Sequence, residues 1–301
     1  MHEMDVARTG QALDPTLPVW GWEVPVYLFL GGLAAGVMIV SALLATRGAR
    51  PSLTARVLVF SAPVLASVGM LALLFDLENP SNVHRFFLAF RPTSAMSWGA
   101  WILLAAVPVS ALFGLSQLEA NELPGLRALA ALWRRVAPRA VALRKATLGL
   151  GIALGVYTGV LLGTLAARPL WSSALLGPLF LASGLSTGIA WLLLFRLRDD
   201  ERHVLSRWDR WAIVLELALL ALFLVGLTTG GASGRAAAAL LLGEGRFTAV
   251  FWSVVVLAGL VVPLLLAAVT EGRRLRLPAV APALVLTGGF ALRWVLVAAG
   301  Q

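Results

Sequence analysis

The stretch EVPVYLFLGGLAAGVMIVSALLAT, residues 23–46, decides the fold of this chain. Its one charged residue stands at the first position, and nearly all the others are apolar or small. About 20 such residues are enough for a helix to cross a lipid bilayer. The run is too long for the apolar core of a signal peptide and has no obvious cleavage site. We therefore expect a retained membrane-spanning helix.

The composition of the whole chain extends this expectation. Of its 301 residues, 59% are hydrophobic and 13% are charged, whereas soluble domains carry about 25% charged residues. The apolar segments lack the alternating pattern of barrel strands, which favours helices. Eight such segments lie at residues 23–46, 55–77, 98–118, 145–167, 172–195, 208–228, 248–270 and 278–299. The predicted fold class is an all-α integral membrane protein with eight transmembrane helices.

The distribution of Lys and Arg predicts the orientation in the membrane. The connections after predicted spans 1, 3, 5 and 7 hold 17 of the 24 basic residues. Because cytoplasmic loops are enriched in basic residues, both termini are predicted to be extracytoplasmic. The same enrichment explains the net charge of +9 better than nucleic-acid binding does, so we predict the lipid bilayer as a partner and no nucleic acid.

A long basic loop divides the spans into two groups of four. The predicted parts are an extracytoplasmic tail at residues 1–22, spans 1–3 at 23–118, the basic cytoplasmic loop at 119–144, span 4 at 145–167 and spans 5–8 at 172–301. We interpret spans 1–4 and spans 5–8 as two four-helix bundles. Within the loop, Leu126–Val141 is predicted to contain an amphipathic surface helix before Pro138.

Glycines at four-residue spacing predict close packing between helices, because small residues let helix backbones approach each other. Span 4 carries a stripe of four, and two other spans carry one pair each: Gly151, Gly155, Gly159 and Gly163, then Gly32–Gly36 and Gly184–Gly188. The alternative for the span 4 stripe is a cofactor lying against that face.

The scarcity of metal-ligating residues excludes several redox centres. The chain has no cysteine, so it holds no iron–sulphur cluster and no thiolate zinc site. None of its three histidines, His2, His84 and His203, lies in the middle of a span, so it cannot ligate a pair of haems. Any electron carrier must therefore be a diffusible molecule or belong to a partner.

Polar residues near the predicted outer ends of spans 1–4 suggest a quinone site. Asp76 and His84 lie in the connection after span 2, and Glu23, Tyr27 and Tyr157 lie in spans 1 and 4. A quinone needs hydrogen-bond donors for its carbonyls and nearby groups that exchange protons. Taken singly, each residue has a simpler role as an interface tyrosine, a loop histidine or a helix-terminal acid.

Trp98 and Trp101 open span 3 close to the same predicted outer end. Tryptophans are common at membrane interfaces, so anchoring explains them. An aromatic lining around a flat ligand is the alternative.

Glu216 and Arg293 are predicted to lie inside spans 6 and 8, where ionisable groups are costly and are functional candidates. A carboxyl group at Glu216 is a candidate for proton passage, or it is a protonated acid bonded to a neighbour. Arg293 is expected to extend to the outer surface or to pair with an outer acid such as Asp76 or Glu23.

Several motifs resemble the NrfD/PsrC family, the membrane subunits of polysulphide-reductase-type complexes. They are WGWEVPVYLFLGGLAAG (20–36), LLFDLENP (73–80), FRPTSAMSWGAWIL (90–103), YTGVLLG (157–163), PLFLASGLSTG (178–188) and GGFALRWVLVAAGQ (288–301). The resemblance covers essentially the whole chain, including the order of the spans.

The resemblance implies a subunit of the bacterial inner membrane that binds menaquinone or ubiquinone in its first bundle and carries no metal or haem. It implies an extracytoplasmic ferredoxin-like partner with four [4Fe-4S] clusters, and a catalytic partner that holds molybdopterin or several haems. Carried over by position, Asp76 and the SAMSWGAW segment flank the quinone pocket, Tyr157 lies near the ring and Glu23 contributes polar contacts. Glu216 matches an acid associated with proton passage in some relatives.

Two other functions stay open. One is a subunit of an alternative complex III, in which electron transfer drives proton movement and Glu216 matters most. The other, from a different class, is a transporter or a passive membrane anchor. A transporter of this kind is expected to have broken helices in matching repeats, and no repeat is evident.

Overall fold

The computed structural model describes residues 20–47, 50–76, 91–119, 122, 127–164, 168–243, 245–270 and 279–301. The regular secondary structure in these ranges is entirely helical. Eight helices there are long and apolar enough to cross a membrane, in the predicted order. The prediction of an all-α membrane protein with eight spans is therefore confirmed for the part of the chain described.

The spans have the following bounds. Span 1 is Glu23–Leu44, span 2 is Leu53–Leu58 with Ser61–Asp76, span 3 is Ala95–Gln117, span 4 is Ala140–Gly163, span 5 is Leu176–Leu193, span 6 is Asp199–Thr229, span 7 is Thr248–Val250 with the π-helical Phe251–Val261 and Val262–Thr270, and span 8 is Val280–Gly300. Shorter elements are a helix at Arg127–Val136, a 3₁₀ turn at Ala137–Arg139 and a helix at Gly231–Leu242.

Span 6 begins at Asp199, earlier than the predicted residue 208. Acids in its first turn stabilise the positive end of the helix dipole. The Glu201 carboxylate accepts hydrogen bonds from the Arg198 backbone N–H at 3.1 Å and from the backbone and hydroxyl of Ser52 at 2.6 and 2.7 Å. This polar segment is therefore helical, and hydrogen bonds between Glu201 and Ser52 connect it to the start of span 2.

Spans 1 and 5 form the centre of the molecule. Span 1 packs against spans 2, 4, 5 and 8, and span 5 packs against spans 1, 4, 6 and 8. The two helices meet backbone to backbone, since a Cβ added to Gly188 would lie 2.6 Å from the Gly36 Cα atom. The predicted glycine pairs therefore act as packing surfaces between these two spans.

The glycine stripe of span 4 has the same function. A Cβ at Gly151 would lie 3.1 Å from the Ala35 carbonyl oxygen of span 1, and one at Gly155 would lie 2.6 Å from the Leu181 side chain of span 5. Span 4 therefore sits in the angle between spans 1 and 5, which brings Tyr157 close to Tyr27.

Candidate functional site

Tyr27 of span 1 and Tyr157 of span 4 form a buried pair. Their side chains are 2% and 7% exposed, and their hydroxyl groups interact with each other. The sequence suggested these two residues as donors for the same ligand. The structure brings them into direct contact.

One glycine makes room for the Tyr157 ring, and another lies beside the Tyr27 ring. Tyr157 lies directly against Gly99 of span 3, where a Cβ would overlap the phenol ring. A Cβ at Gly69 of span 2 would lie 3.5 Å from the Tyr27 ring. Spans 1, 2, 3 and 4 therefore each contribute one residue to the same small region.

The chain just before span 3 is held by its own polar groups. The Ser97 hydroxyl accepts a hydrogen bond from the Arg91 backbone N–H at 2.9 Å, and the Trp98 indole donates to the Pro92 carbonyl at 2.8 Å. Trp98 and Trp101 are 48% and 40% exposed. Both tryptophans therefore face outwards, unlike Gly99 between them, which faces the tyrosine pair.

The remaining predicted quinone-site residues lie around this region. Glu23 is the first residue of span 1, half-buried and one helical turn before Tyr27. Asp76 is the last residue of span 2, and its side chain lies outside the described residues. His84 also lies outside the described part of the chain.

Arg293 of span 8 is completely buried, contrary to the expectation that it reaches the outer surface. Its guanidinium donates hydrogen bonds to the Leu28 carbonyl at 3.1 Å, the Ser183 hydroxyl at 3.0 Å and the Gly289 carbonyl at 2.8 Å. A Cβ at Gly32 would lie 2.5 Å from the guanidinium, so this glycine admits it. Hydrogen-bond partners on spans 1, 5 and 8 stabilise the guanidinium charge in the core, so the Arg293 side chain does not extend to the outer surface.

Glu216 of span 6 is the acid that interacts electrostatically with this arginine. It is 2% exposed and accepts a hydrogen bond from the Ser186 hydroxyl at 2.7 Å. Ser183 also interacts with Glu216, and it accepts a hydrogen bond from Arg293. The two serines of span 5 thus connect the carboxyl group to the guanidinium, and Glu216 rather than Glu23 is the acid that faces Arg293.

Sequence reasoning missed Asp209, which lies two helical turns before Glu216 on span 6. One carboxylate oxygen of Asp209 is buried and has no hydrogen-bond partner among the described residues. The two acids interact electrostatically. Their spacing of seven residues, which places both on one helix face, was the signal in the sequence. The serines in SGLST (183–187) had a similar signal, since they follow helical spacing within an apolar span.

No group of three or more His, Cys, Asp or Glu side chains in the described ranges could hold a metal ion. The polar groups that the described ranges bring together are phenol, hydroxyl, carboxyl and guanidinium groups.

Comparison with known proteins gives these features a family context. The family model described as polysulphide reductase, NrfD matches residues 11–301. The sequence is 32% identical to a subunit of the polysulfide reductase of Wolinella succinogenes, with 94% of each protein covered. It is 31% identical to protein NrfD of Escherichia coli strain K12, over 94% of this sequence and 95% of that protein.

A more distant relative is a subunit of the selenate reductase of Mesobacillus selenatarsenatis, 24% identical over 92% of this sequence and 73% of that protein. Relatives of this protein are thus membrane subunits of reductase complexes. The family match covers every described span and both polar sites. The chain therefore belongs to the polysulphide reductase NrfD family.

Proposed function

We propose that this protein is the quinone-reactive membrane subunit of a respiratory oxidoreductase complex in a bacterial inner membrane. The observation that carries this proposal is the buried Tyr27–Tyr157 pair, enclosed by four spans with Gly99 beneath one ring. Two phenol hydroxyls fit the two carbonyl oxygens of a quinone as donors, and the lipid-facing helices around them suit an apolar tail.

Each residue has a separate task in the proposed site. The hydroxyls of Tyr27 and Tyr157 hold the head group by hydrogen bonds, and Gly99 keeps the Tyr157 ring in place. Asp76 and His84 exchange protons with the outer side, and Glu23 supports them from the start of span 1. Trp98 and Trp101 face the lipid, where they fit the lateral entrance better than the ring site. A bound quinol supplies two electrons and two protons.

The electrons require partners, since the chain has no cysteine. We propose that a ferredoxin-like subunit with four [4Fe-4S] clusters docks on the extracytoplasmic side and passes electrons to a catalytic subunit with molybdopterin or several haems. The names of two relatives, subunits of polysulfide and selenate reductases, support an assembly of this type. The packing of spans 1–4 around the tyrosines and of spans 5, 6, 7 and 8 beside them supports two four-helix bundles.

The test is quinol-dependent turnover of the complex purified from native membranes. Tyr157→Phe and Asp76→Asn should each slow turnover while the partner subunits still co-purify. Trp211→Phe is the matched control, because Trp211 is 70% exposed on span 6. Unchanged rates in both site variants would refute the site. A protein purified without partners, quinone or iron would instead favour a transporter or an anchor.

The buried Arg293–Glu216 network favours a second candidate, a complex III-type subunit that couples electron transfer to proton movement. Serine hydroxyls between the two charged groups are suited to pass a proton. Glu216→Gln should then lower the number of protons moved per electron and leave electron flow unchanged. Electron flow that falls together with proton movement would contradict this coupling.

A further inference from the structure

The helix Arg127–Val136 lies beside the end of span 3 and continues through the 3₁₀ turn into span 4. Its Trp133 indole donates a hydrogen bond to the Leu118 carbonyl at 2.9 Å, directly after span 3. Val136, on the same side, is 7% exposed. These contacts fix the helix between the end of span 3 and the start of span 4, so that it cannot turn freely.

The apolar side of this helix is only partly covered. Leu129 and Leu132 follow helical spacing with Val136 and are each 38% exposed. By helical spacing they lie on the same face as Trp133 and Val136. The acyl chains of lipids can cover exposed apolar side chains of a helix that lies at the membrane surface.

The opposite side of the helix is basic. Arg134 and Arg135 are exposed, and neither makes an ion pair with a described residue. No acid occurs from residue 127 to residue 163. The nearby acids are occupied, because Glu119 pairs with Arg50 and Glu122 pairs with Arg56. The surface therefore presents unbalanced positive charge next to exposed leucines.

We propose that Arg127–Val136 is a membrane-surface helix that inserts Leu129 and Leu132 among the acyl chains and binds anionic phospholipid headgroups through Arg134 and Arg135. The distribution of basic residues assigns it to the cytoplasmic leaflet. An apolar stripe and clustered arginines on one short helix fit the two parts of a phospholipid. Bound lipid would fix the angle at which the chain enters span 4, the helix that carries Tyr157.

Spin labels can test the insertion, because the chain has no native cysteine. Leu129→Cys and Leu132→Cys labels in nanodiscs that contain phosphatidylglycerol should collide with oxygen more than with a water-soluble nickel chelate. Ala131→Cys, on the opposite face, is the control and should show the reverse. Labels at Leu129 and Leu132 as accessible to nickel as the label at Ala131 would overturn the proposal. Labels that are protected from the nickel chelate only in native membranes would also overturn the proposal, and would indicate a protein partner.

A second measurement tests the headgroup. The double variant Arg134→Gln, Arg135→Gln should retain on the order of tenfold less phosphatidylglycerol, in competition with phosphatidylcholine, by native mass spectrometry. Arg196→Gln, Arg207→Gln removes the same charge from exposed positions elsewhere and should have a smaller effect. Equal retention by the two double variants would refute specific binding at this helix.

Discussion

The tyrosine pair and the Arg293 network are both enclosed by apolar helices, yet their chemistry differs. The tyrosine side chains are uncharged phenols, and their hydroxyl groups interact with each other. Arg293 carries a charge that several groups on three spans satisfy together. A neutral pair can exchange its mutual interaction for a hydrogen bond to a ligand at small cost, whereas a buried charge requires a fixed set of partners. The first arrangement suits reversible binding, and the second suits a permanent part of the core.

Arg293→Ala should have the largest effect, because it removes the hydrogen bonds that join span 8 to spans 1 and 5 and leaves Glu216 without its counter-charge. We expect a loss of roughly 3–5 kcal/mol in stability, as for other broken buried pairs. The measurement is thermal aggregation in detergent followed by size-exclusion chromatography. Arg207→Ala, at an exposed position, is the control. Equal melting temperatures would mean that the network contributes little.

Gly99→Ala should affect the tyrosine site without affecting the arginine network. The new methyl group would overlap the Tyr157 ring and displace it. We expect quinol-dependent turnover to fall about tenfold, equivalent to roughly 1.4 kcal/mol. Gly149→Ala is a close control, because no atom lies within 4 Å of a Cβ at Gly149. A normal rate in the Gly99 variant would show that the position of Tyr157 does not limit turnover.

The interaction between the two tyrosine hydroxyl groups can be measured with a double-mutant cycle. Tyr27→Phe and Tyr157→Phe remove one hydroxyl each, and the double variant removes both. We expect a coupling of about 1 kcal/mol in thermal stability, since each single change leaves one buried hydroxyl unpaired. Additive effects would contradict a hydrogen bond between the two rings.

Replacement of Glu122, a carboxylate outside the membrane-spanning helices, should give the smallest effect. The backbone N–H of Glu119, and next the Arg56 guanidinium, lower the pKa of Glu122 below its ordinary value of 4.5. The stabilisation by this ion pair should therefore be fully present above the ordinary pKa of Glu122. It should be lost as the pH falls through the lower pKa of Glu122 in the folded protein. Glu122→Gln should lower the melting temperature slightly at pH 7, and the difference from the unmodified protein should shrink towards pH 3. A constant difference would disprove this linkage.

The sequence predicted the spans more accurately than the contacts of the polar residues. Apolar runs such as residues 23–46 identify a span by length alone. Arg293 shows the limit, because snorkelling outwards and pairing inwards are both compatible with its position in span 8. The inward orientation of Arg293 depends on Gly32, which leaves room for the guanidinium, and on Ser183, which accepts its hydrogen bond. Neither is near Arg293 in the sequence.

By itself the sequence predicted an all-helical membrane protein with the eight spans found in the described part of the chain, because each apolar run must satisfy its backbone hydrogen bonds as a helix. It also determined which residue types are available, notably two tyrosines and no cysteine. Only the tertiary structure decided that Tyr27 meets Tyr157 and that Glu216 faces Arg293. Those contacts depend on the rotation of each helix about its axis, and packing at Gly36, Gly188 and Gly99 sets that rotation.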